Sequence, residues 1–428
     1  MKLLFICFEY NGNKDAGSSC IHQLRMALDE QGIPSDVLTY AWNGETYPSA
    51  QDDCGTIFLA PTWYRHARMK RAANGQIQMS AAEWLRAALA RGYAMLREGR
   101  HYAQRGVPLC ATNALGKKLR KLCRENHYDW VVSVSYPFSN HLTAAKWIPD
   151  GTRLALYNLD PYWNNYTYEE SLREARRVEE ASLYEKAEAI FCTPEQAPDY
   201  EGEAFQNAKN RIRPLPYPKL VQPMVEDCCP IEFDSEKINL LYLGTVYGDI
   251  RKPEALLSLF ETAHKKEPKL RLYIVGKKFG ADADRYLRQY KEKLGDALAL
   301  HEPIPASQTA DLLSRADILV NMGNTMPNQM PSKTIEYIAT GKPILNVSVN
   351  RECNTLEVLK RYPMCMQCFI EDVLKEERAE ALAAFCREFA HQVAHWATVS
   401  EVYRDMEITQ ISRMFSGALS ENCEQKKD

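Results

Sequence analysis

The sequence predicts an α/β protein with two doubly wound domains, each built on a parallel sheet. Short apolar runs alternate with amphipathic segments along most of the 428 residues, which is the pattern of repeated βαβ units. A chain of this length exceeds one ordinary core, so two domains are expected. A proline-rich segment over 207–236 interrupts the alternation and indicates an extended linker, because proline removes backbone donors and ends helices.

The first series of elements opens at residues 2–8, a continuous apolar run typical of a buried parallel strand. A helix over 20–32 and a strand over 36–40 follow, which completes one βαβ unit. Further strands are predicted at 56–60, 129–135, 153–160 and 188–194.

The second series follows the proline-rich segment. Its strands are predicted at 238–245, 270–276, 316–322 and 343–347. The last stretch, 376–416, is predicted to be helical throughout. We therefore expect domains over 1–225 and 226–395, followed by a helical segment and tail over 396–428.

The composition is that of a globular protein, with 45% hydrophobic and 25% charged residues. No run of about 18 apolar residues occurs, so no membrane span is expected. The opening MKLLFICFEY is too short for a secretory signal and is interpreted as the first strand. Thirteen scattered cysteines indicate reduced thiols in a cytosol. Cys365 and Cys368 lack spaced histidine partners, so buried thiols are favoured over a zinc site.

Positive charge is concentrated in residues 65–124, which contain 14 Lys and Arg against Glu83 and Glu98, while the rest of the chain has 39 basic and 54 acidic residues. This asymmetry indicates a polyanionic or membrane-surface partner. Residues 80–99 predict an amphipathic helix suited to anionic lipid; packing of its apolar face on its own domain is the alternative. That face contains Trp84, Leu85, Ala88, Leu89 and Leu96. Nucleic acid is not expected, because no recognisable reader module accompanies the charge.

Residues 328–345, NQMPSKTIEYIATGKPIL, join two predicted strands through a short helix. Pro331 suits the first helical position, and Gly341 and Pro343 end the helix. A helix N-terminus beyond the carboxyl end of a parallel strand is where open α/β sheets bind ligands, and its free N–H groups favour phosphate. Glu336 can then accept hydrogen bonds from both hydroxyls of a ribose. A surface glutamate on an ordinary helix is the alternative.

The stretch ADILVNMGNTMPNQMPSKTIEYIATGKPIL resembles the donor-site signature of GT-B glycosyltransferases, specifically glycosyltransferase family four. That family has two glutamates eight residues apart, followed by Gly-Lys-Pro at the end of the helix. Glu336 matches the second glutamate, which binds the nucleotide ribose in the family. Asn328 stands where the family has its first glutamate, which contacts the donor sugar, so Asn328 and Gln329 are expected to face that sugar.

Other stretches also carry the resemblance, and two of them concern the donor. LLYLGTVYGDIRKPEALL resembles the family's strand, glycine loop and basic helix start, which implies that Arg251 and Lys252 hold the donor diphosphate and neutralise the leaving group. A solvated pair at a helix start is the alternative. AGSSCIHQLRMALDEQG resembles the first loop and helix, with Gly17 near the donor. The implied donor-binding residues are Gly17, Gly244, Thr245, Arg251, Lys252, Asn328, Gln329, Pro331, Ser332, Lys333 and Glu336.

The acceptor side has weaker candidates. ALYNLDPYWNN resembles the family's strand-end motif, and its acid, Asp160, is expected to position or deprotonate an acceptor hydroxyl. A turn-forming Asp before Pro is the equally open alternative. His141, beyond another strand end, is a second candidate base, with capping or packing as the favoured alternative. Asp282 and Asp284 form a DxD pattern, but acids are favoured at a helix start anyway, and the GT-B class generally needs no metal.

The resemblance implies the GT-B fold: two Rossmann-like domains facing a cleft, with the C-terminal helix returning to the first. It implies an enzyme that transfers a sugar, with retention, from a nucleotide-diphosphate sugar to a glycan or lipid-linked glycan in surface-polysaccharide or glycolipid assembly. No cofactor is expected beyond this co-substrate, and the expected location is the cytoplasm, including the inner membrane face. The alternatives are a nucleotide-sugar epimerase on this fold and a catalytically silent binding or scaffold subunit.

Overall fold

The structure is a computed structural model that describes residues 1–8, 10, 16–40, 49–60, 81–99, 104–226, 228–248, 250–251, 253–349, 351 and 354–424. The chain divides into two compact units, Met1–Pro218 with Ile408–Asp428, and Lys219–Glu407. The domain boundaries predicted from the sequence lie at residues 225 and 396, whereas the compact units divide after Pro218 and after Glu407. Each unit is an α/β domain with a mainly parallel sheet.

Strands and helices alternate along both units. In chain order the described strands are β1 (Leu3–Ile6), β2 (Ser35–Tyr40), β3 (Ser49–Asp52), β4 (Gly55–Ala60), β5 (Trp130–Ser135), β6 (Arg153–Asn158), β7 (Ala189–Cys192), β8 (Ile212–Pro214), β9 (Ile238–Leu243), β10 (Val246–Tyr247), β11 (Leu270–Val275), β12 (Lys278–Phe279), β13 (Leu298–His301), β14 (Ile318–Met322), β15 (Ile344–Ser348) and β16 (Cys365–Phe369). The described α-helices are α1 (Ala16–Asp29), α2 (Ala81–Glu98), α3 (Asn113–Asn126), α4 (Ser139–Trp147), α5 (Arg173–Tyr184), α6 (Pro253–Lys266), α7 (Ala281–Leu294), α8 (Thr309–Arg315), α9 (Lys333–Ala339), α10 (Asn354–Lys360), α11 (Glu376–Phe389), α12 (Trp396–Val402) and α13 (Ile408–Glu424). None of these described helices combines the length and the hydropathy that a bilayer crossing requires.

The first unit has a sheet with the strand order β3-β4-β2-β1-β5-β6-β7-β8. β3 and β4 pair antiparallel, and the other neighbouring strands pair parallel. The chain order reverses between β1 and β5, so the crossovers cover both faces, and every residue of these two strands is buried. The predicted doubly wound α/β class is confirmed here.

The sequence prediction missed the edge strand β3. Its residues, Ser-Ala-Gln-Asp, show no apolar alternation, so periodicity cannot reveal them. The fully buried Arg25 side chain holds this edge: Nη1 lies 2.5 Å from Asp52 Oδ2, and Nε donates to Ser35 Oγ at 3.0 Å. The ion pair between Arg25 and Asp52, which are distant in the sequence, therefore stabilises a strand whose own residues have little strand propensity.

The second unit has a fully parallel sheet with the strand order β13-β11-β9-β14-β15-β16. The chain first fills one side of β9 with β11 and β13, then the other side with β14, β15 and β16. The topological switch point therefore lies between β9 and β14, which is where open α/β sheets bind ligands.

The C-terminal helix α13 packs within the first unit. The Phe415 ring centroid lies 4.5 Å from that of Phe191 and 6.1 Å from that of Phe5. Gln31 Nε2 donates to Ser412 Oγ at 2.6 Å. The implied return of the C-terminal helix to the first domain is confirmed.

The prediction that 376–416 is helical throughout is wrong over 390–395. α11 ends at Phe389, and α12 and α13 follow as separate helices. His391 adopts a φ of +71°, and the Ala394 N–H donates to the Gly341 carbonyl oxygen at 2.8 Å. This contact holds the break against the end of α9, so tertiary packing overrides local helix propensity.

Candidate functional site

The loops that follow β9 and β11 approach each other closely at the carboxyl edge of the second sheet. A Cβ on Gly276, whose φ is +151°, would lie 1.9 Å from the Gly244 carbonyl oxygen. Only glycine fits there, because the obstructing atom belongs to the backbone. The Tyr242 hydroxyl donates to the Thr245 carbonyl oxygen at 2.8 Å and fixes the turn after β9.

Arg251 places a positive charge at this carboxyl edge of the second sheet. Its Nε donates to Asn324 Oδ1 at 2.8 Å, and its guanidinium carbon lies 5.4 Å from the centroid of the Tyr247 ring. Asn324 Nδ2 in turn donates to the Gln329 carbonyl oxygen at 3.0 Å. These contacts hold the half-buried guanidinium between the loop after β9 and the loop after β14. Within the described residues, no carboxylate pairs with Arg251. The neighbouring candidate, Lys252, lies outside the described residues.

Two sets of hydrogen bonds fix α9 beside these loops. The Tyr337 hydroxyl donates to the Leu243 carbonyl oxygen at 3.1 Å and accepts from the Leu243 N–H at 3.2 Å. A buried ladder of amides crosses the sheet beneath the helix. Its bonds run from Asn346 to Gln367 at 2.7 Å, from Asn321 to Asn346 at 2.7 Å, and from Thr334 of α9 to Asn321 at 3.4 Å. The helix is thus attached both to the end of β9 and to β14.

Glu336 of α9 binds a lysine through each carboxylate oxygen. Oε1 lies 2.9 Å from Lys219 Nζ, and Oε2 lies 2.6 Å from Lys333 Nζ. Burial alone would raise the pKa of Glu336, but the charges and hydrogen bonds of Lys333 and Lys219 outweigh it and lower the pKa to about 2. The carboxylate therefore stays ionised and acts only as an acceptor.

Lys219 is a site residue that the sequence analysis missed. It lies in the proline-rich segment that was interpreted as an extended linker, yet its side chain is only 6% exposed. The adjacent Tyr217, Pro218 and Leu220 are buried as well. Apolar residues on either side of Lys219 are the signal that could have indicated a packed segment.

The remaining second-unit candidates lie on the same loop or helix. Asn328 is buried, and Gln329 is half-buried. Pro331 is also buried, and Ser332 precedes α9 as its N-cap residue, while Lys333 begins the helix. The contact of Asn328 and Gln329 with a donor sugar stays a prediction.

Asp160 and His141 belong to the first unit, as does Gly17 in the first turn of α1. The His141 side chain is fully buried, with Nδ1 2.8 Å from Ser133 Oγ and Nε2 2.8 Å from Asn158 Oδ1. Burial lowers its pKa to about 4. This placement favours the packing role of His141, because neither ring nitrogen is open to a substrate.

Asp160 lies two residues beyond β6 and is half-buried. The loop that carries it is held by α5, where the Glu180 Oε2 atom accepts from the Trp163 N–H at 2.9 Å. The Tyr162 ring stacks on Phe138, with centroids 3.6 Å apart. Burial raises the pKa of Glu180 to about 7. Asp160 is thus a half-buried residue on a firmly packed loop.

The geometry does not support metal binding by Asp282 and Asp284. Asp282 lies 2.9 Å from Arg285, and Asp284 pairs with Arg288, both within α7. Across the described part of the chain, no group of three or more His, Cys, Asp or Glu residues could hold a metal ion.

The basic segment presents an exposed apolar stripe on α2, formed by Leu85, Leu89, Tyr93 and Leu96. Their exposed fractions are 62%, 64%, 50% and 88%. The spacing of four, four and three residues places them on one helix face. The described members of the predicted apolar face are therefore exposed. Residues 61–80 lie outside the described residues, and 65–80 of them belong to the predicted basic region.

Several solved structures are similar to the whole chain. Sucrose-phosphate synthase from Thermosynechococcus elongatus has 13% identity and a TM-score of 0.65, covering 98% of this chain and 98% of its own. The catalytic domain of starch synthase IV from Arabidopsis thaliana, bound to ADP and acarbose, has 7% identity and a TM-score of 0.62, covering 98% and 99%. Anabaena HepE in complex with UDP has 12% identity and a TM-score of 0.58, covering 98% and 100%. No family model and no curated protein matches the sequence. The similarity, at these identities, establishes the architecture: the chain has the GT-B fold.

Proposed function

We propose that the protein is a glycosyltransferase that moves a sugar from a nucleotide-diphosphate sugar to an acceptor hydroxyl. The observation that carries the proposal is the presence of a fixed cation and an ionised carboxylate on neighbouring elements at the β9–β14 switch point. Arg251 is a fixed cation with no carboxylate partner among the described residues, and Glu336 is an ionised acceptor on the adjacent helix. Two of the similar structures contain ADP and UDP, which supports the same ligand class here.

The two charges would act on different parts of the donor. Arg251 would bind the diphosphate and offset the negative charge that grows as the glycosidic bond breaks. Glu336 would accept hydrogen bonds from the ribose hydroxyls. Lys252 and Lys333 would add to diphosphate binding. No cofactor beyond the nucleotide sugar is part of the proposal.

On the acceptor side, we assign the positioning or deprotonation of the hydroxyl to Asp160. Asp160 is half-buried two residues beyond the end of β6, whereas His141 is fully buried. Retention of configuration and a place in surface-polysaccharide or glycolipid assembly remain proposals that rest on the resemblance to family four.

A thermal-shift screen tests the donor site. Wild type and Glu336→Ala are heated with UDP, GDP, dTDP, ADP or CMP. We expect one diphosphate to stabilise the wild type, by about 2.7 kcal/mol at a hundred times its Kd, and to leave Glu336→Ala nearly unshifted. Glu357→Ala is the matched control, since Glu357 is an exposed glutamate of the same unit with its own lysine partner.

Each alternative function has its own outcome. If no nucleotide shifts either protein, the donor site is contradicted and the scaffold alternative gains support. If a nucleotide sugar binds and is isomerised without an acceptor, the epimerase alternative is correct.

We also propose that the α2 stripe docks on an anionic membrane, where a lipid-linked acceptor would be found. The exposed apolar residues would enter the interface, and the 14 Lys and Arg in the sequence segment 65–124 give it a charge complementary to acidic headgroups. Amphipathic helices bind such surfaces through this combination.

Vesicle sedimentation tests the docking. We expect wild type to bind phosphatidylglycerol vesicles, to bind phosphatidylcholine vesicles much less, and to dissociate as salt rises. Replacing Leu85, Leu89 and Leu96 together with Gln should lower partitioning about 100-fold or more, since each buried leucine contributes about 1.5 kcal/mol or more. Leu374→Gln, an exposed leucine of the second unit, is the control. Equal binding by both variants would contradict the docking.

A further inference from the structure

We propose that Lys219 is a positioning residue that orients Glu336 toward a vicinal diol, so that the site prefers ribonucleotides to 2′-deoxyribonucleotides. The inference rests on the proposed function, because it concerns the same donor site. It adds a residue from outside the signature and assigns to it the selectivity of the site.

The geometry divides the Glu336 carboxylate between two ammonium groups. Lys219 Nζ lies 2.9 Å from Oε1, and Lys333 Nζ lies 2.6 Å from Oε2. A carboxylate has about four lone-pair sites, two on each oxygen. Among the described residues the lysines use one site on each oxygen, which leaves one site on each for a ligand. Two adjacent acceptors on an ionised carboxylate match the two adjacent hydroxyls of a ribose.

The two lysines differ in rigidity. Lys333 lies on the same helix as Glu336, three residues before it, and its side chain is 31% exposed. Because packing constrains neighbouring side chains on one helix face only a little, this pair fixes the orientation of the carboxylate less than a buried pair would. Lys219 comes from a segment 117 residues away and is 6% exposed. The backbone beside it is fixed, because Leu220 forms a parallel bridge with Glu407.

Lys219 is therefore the group that fixes the plane of the carboxylate. Without it, Glu336 would keep one partner, Lys333, and could rotate toward that lysine and the solvent. The hydrogen bond to one of the two hydroxyls would then be lost. A 2′-deoxyribonucleotide lacks that bond already, so its affinity should change less than that of the ribonucleotide.

Calorimetric titration tests the inference. The Kd values of UDP, GDP and ADP are compared with those of dUDP, dGDP and dADP. We expect wild type to bind the ribonucleotide about tenfold more tightly, which is the usual contribution of a hydrogen bond to a charged group. Lys219→Met should reduce this ratio to within about twofold. Lys219→Gln, which keeps a neutral donor, serves as the second variant if Lys219→Met does not fold.

Lys333→Met is the matched control, because it removes the same charge from the same carboxylate. We expect it to weaken both nucleotides and to keep most of the ratio. In a Glu336→Ala background, Lys219→Met should leave the ratio unchanged, because the lysine acts through the glutamate.

The outcomes separate the two proposals. If wild type binds none of the three ribonucleotides, the proposed function is wrong and this inference fails with it. If wild type binds one of them and Lys219→Met keeps the wild-type ratio, the inference alone is wrong. An equal loss of the ratio in Lys333→Met would also overturn it, since the effect would then follow from charge alone.

Discussion

Arg251→Ala is expected to lower kcat/KM for sugar transfer by about 100- to 1,000-fold, the range found when one preorganised group that stabilises transition-state charge is removed. The guanidinium is fixed by Asn324 and lies over Tyr247, so in the proposed reaction it would need no rearrangement as charge develops on the leaving diphosphate. The measurement is steady-state transfer with the donor that the nucleotide screen identifies. We expect kcat to fall as well as KM to rise, because charge on the leaving group is greatest in the transition state.

Two variants control this prediction. Arg251→Lys keeps the charge but loses the planar contacts, so an intermediate loss is expected. Arg285→Ala removes an exposed arginine that pairs with Asp282 in α7, and its activity should equal that of wild type. A loss below about fivefold in Arg251→Ala would show that the diphosphate does not depend on this cation.

The sequence predicts the strands well where a strand is continuous and apolar. β1, β5, β9 and β14 are runs of this kind, and their bounds lie within two residues of the prediction. β3 and the short pair β10 and β12 lack such runs, so periodicity does not predict them. Side-chain contacts or neighbouring loops hold these strands in place instead. The return of α13 follows from the resemblance and not from periodicity, since no local pattern reports which core a terminal helix joins.

The residues of the candidate site also differ in how well the sequence predicts them. Glu336 is visible in the sequence because its helix has a clear start and a glycine stop. Lys219 is not, because its partner lies 117 residues away and the proline content indicates an extended linker. The amides Asn321 and Asn346 are visible only as polar residues in apolar strands. Their hydrogen bond depends on β14 and β15 being neighbours in register, which a single sequence does not state.

His141 shows why position along the sequence alone does not assign a catalytic role. A histidine near a strand end matches the pattern of a catalytic base, yet the fold places it between Ser133 and Asn158 in the core. Sequence spacing gives the position of a residue along the chain, whereas catalysis depends on which side of the sheet the side chain faces.

Gly276→Ala is expected to destabilise the second unit by about 3 kcal/mol or more and to abolish nucleotide binding. The added Cβ would lie 1.9 Å from the Gly244 carbonyl oxygen, at a φ of +151° that only glycine adopts readily. Because the obstructing atom belongs to the backbone, relief requires the loops after β9 and β11 to move apart. That movement would displace Thr245 and, through the Tyr242 hydroxyl, the surroundings of Arg251.

Denaturant unfolding and the nucleotide shift measure the two effects in the same variant. Gly417→Ala is the control, because a Cβ at Gly417 of α13 meets no atom within 4 Å and alanine favours a helix. We expect that control to be neutral or slightly more stable, with nucleotide binding unchanged. If Gly276→Ala kept both wild-type stability and nucleotide binding, the close approach of the two loops would be contradicted. If it lost stability alone, the loops would be tightly packed but would not form the diphosphate site, and the donor would have to bind elsewhere on the second unit.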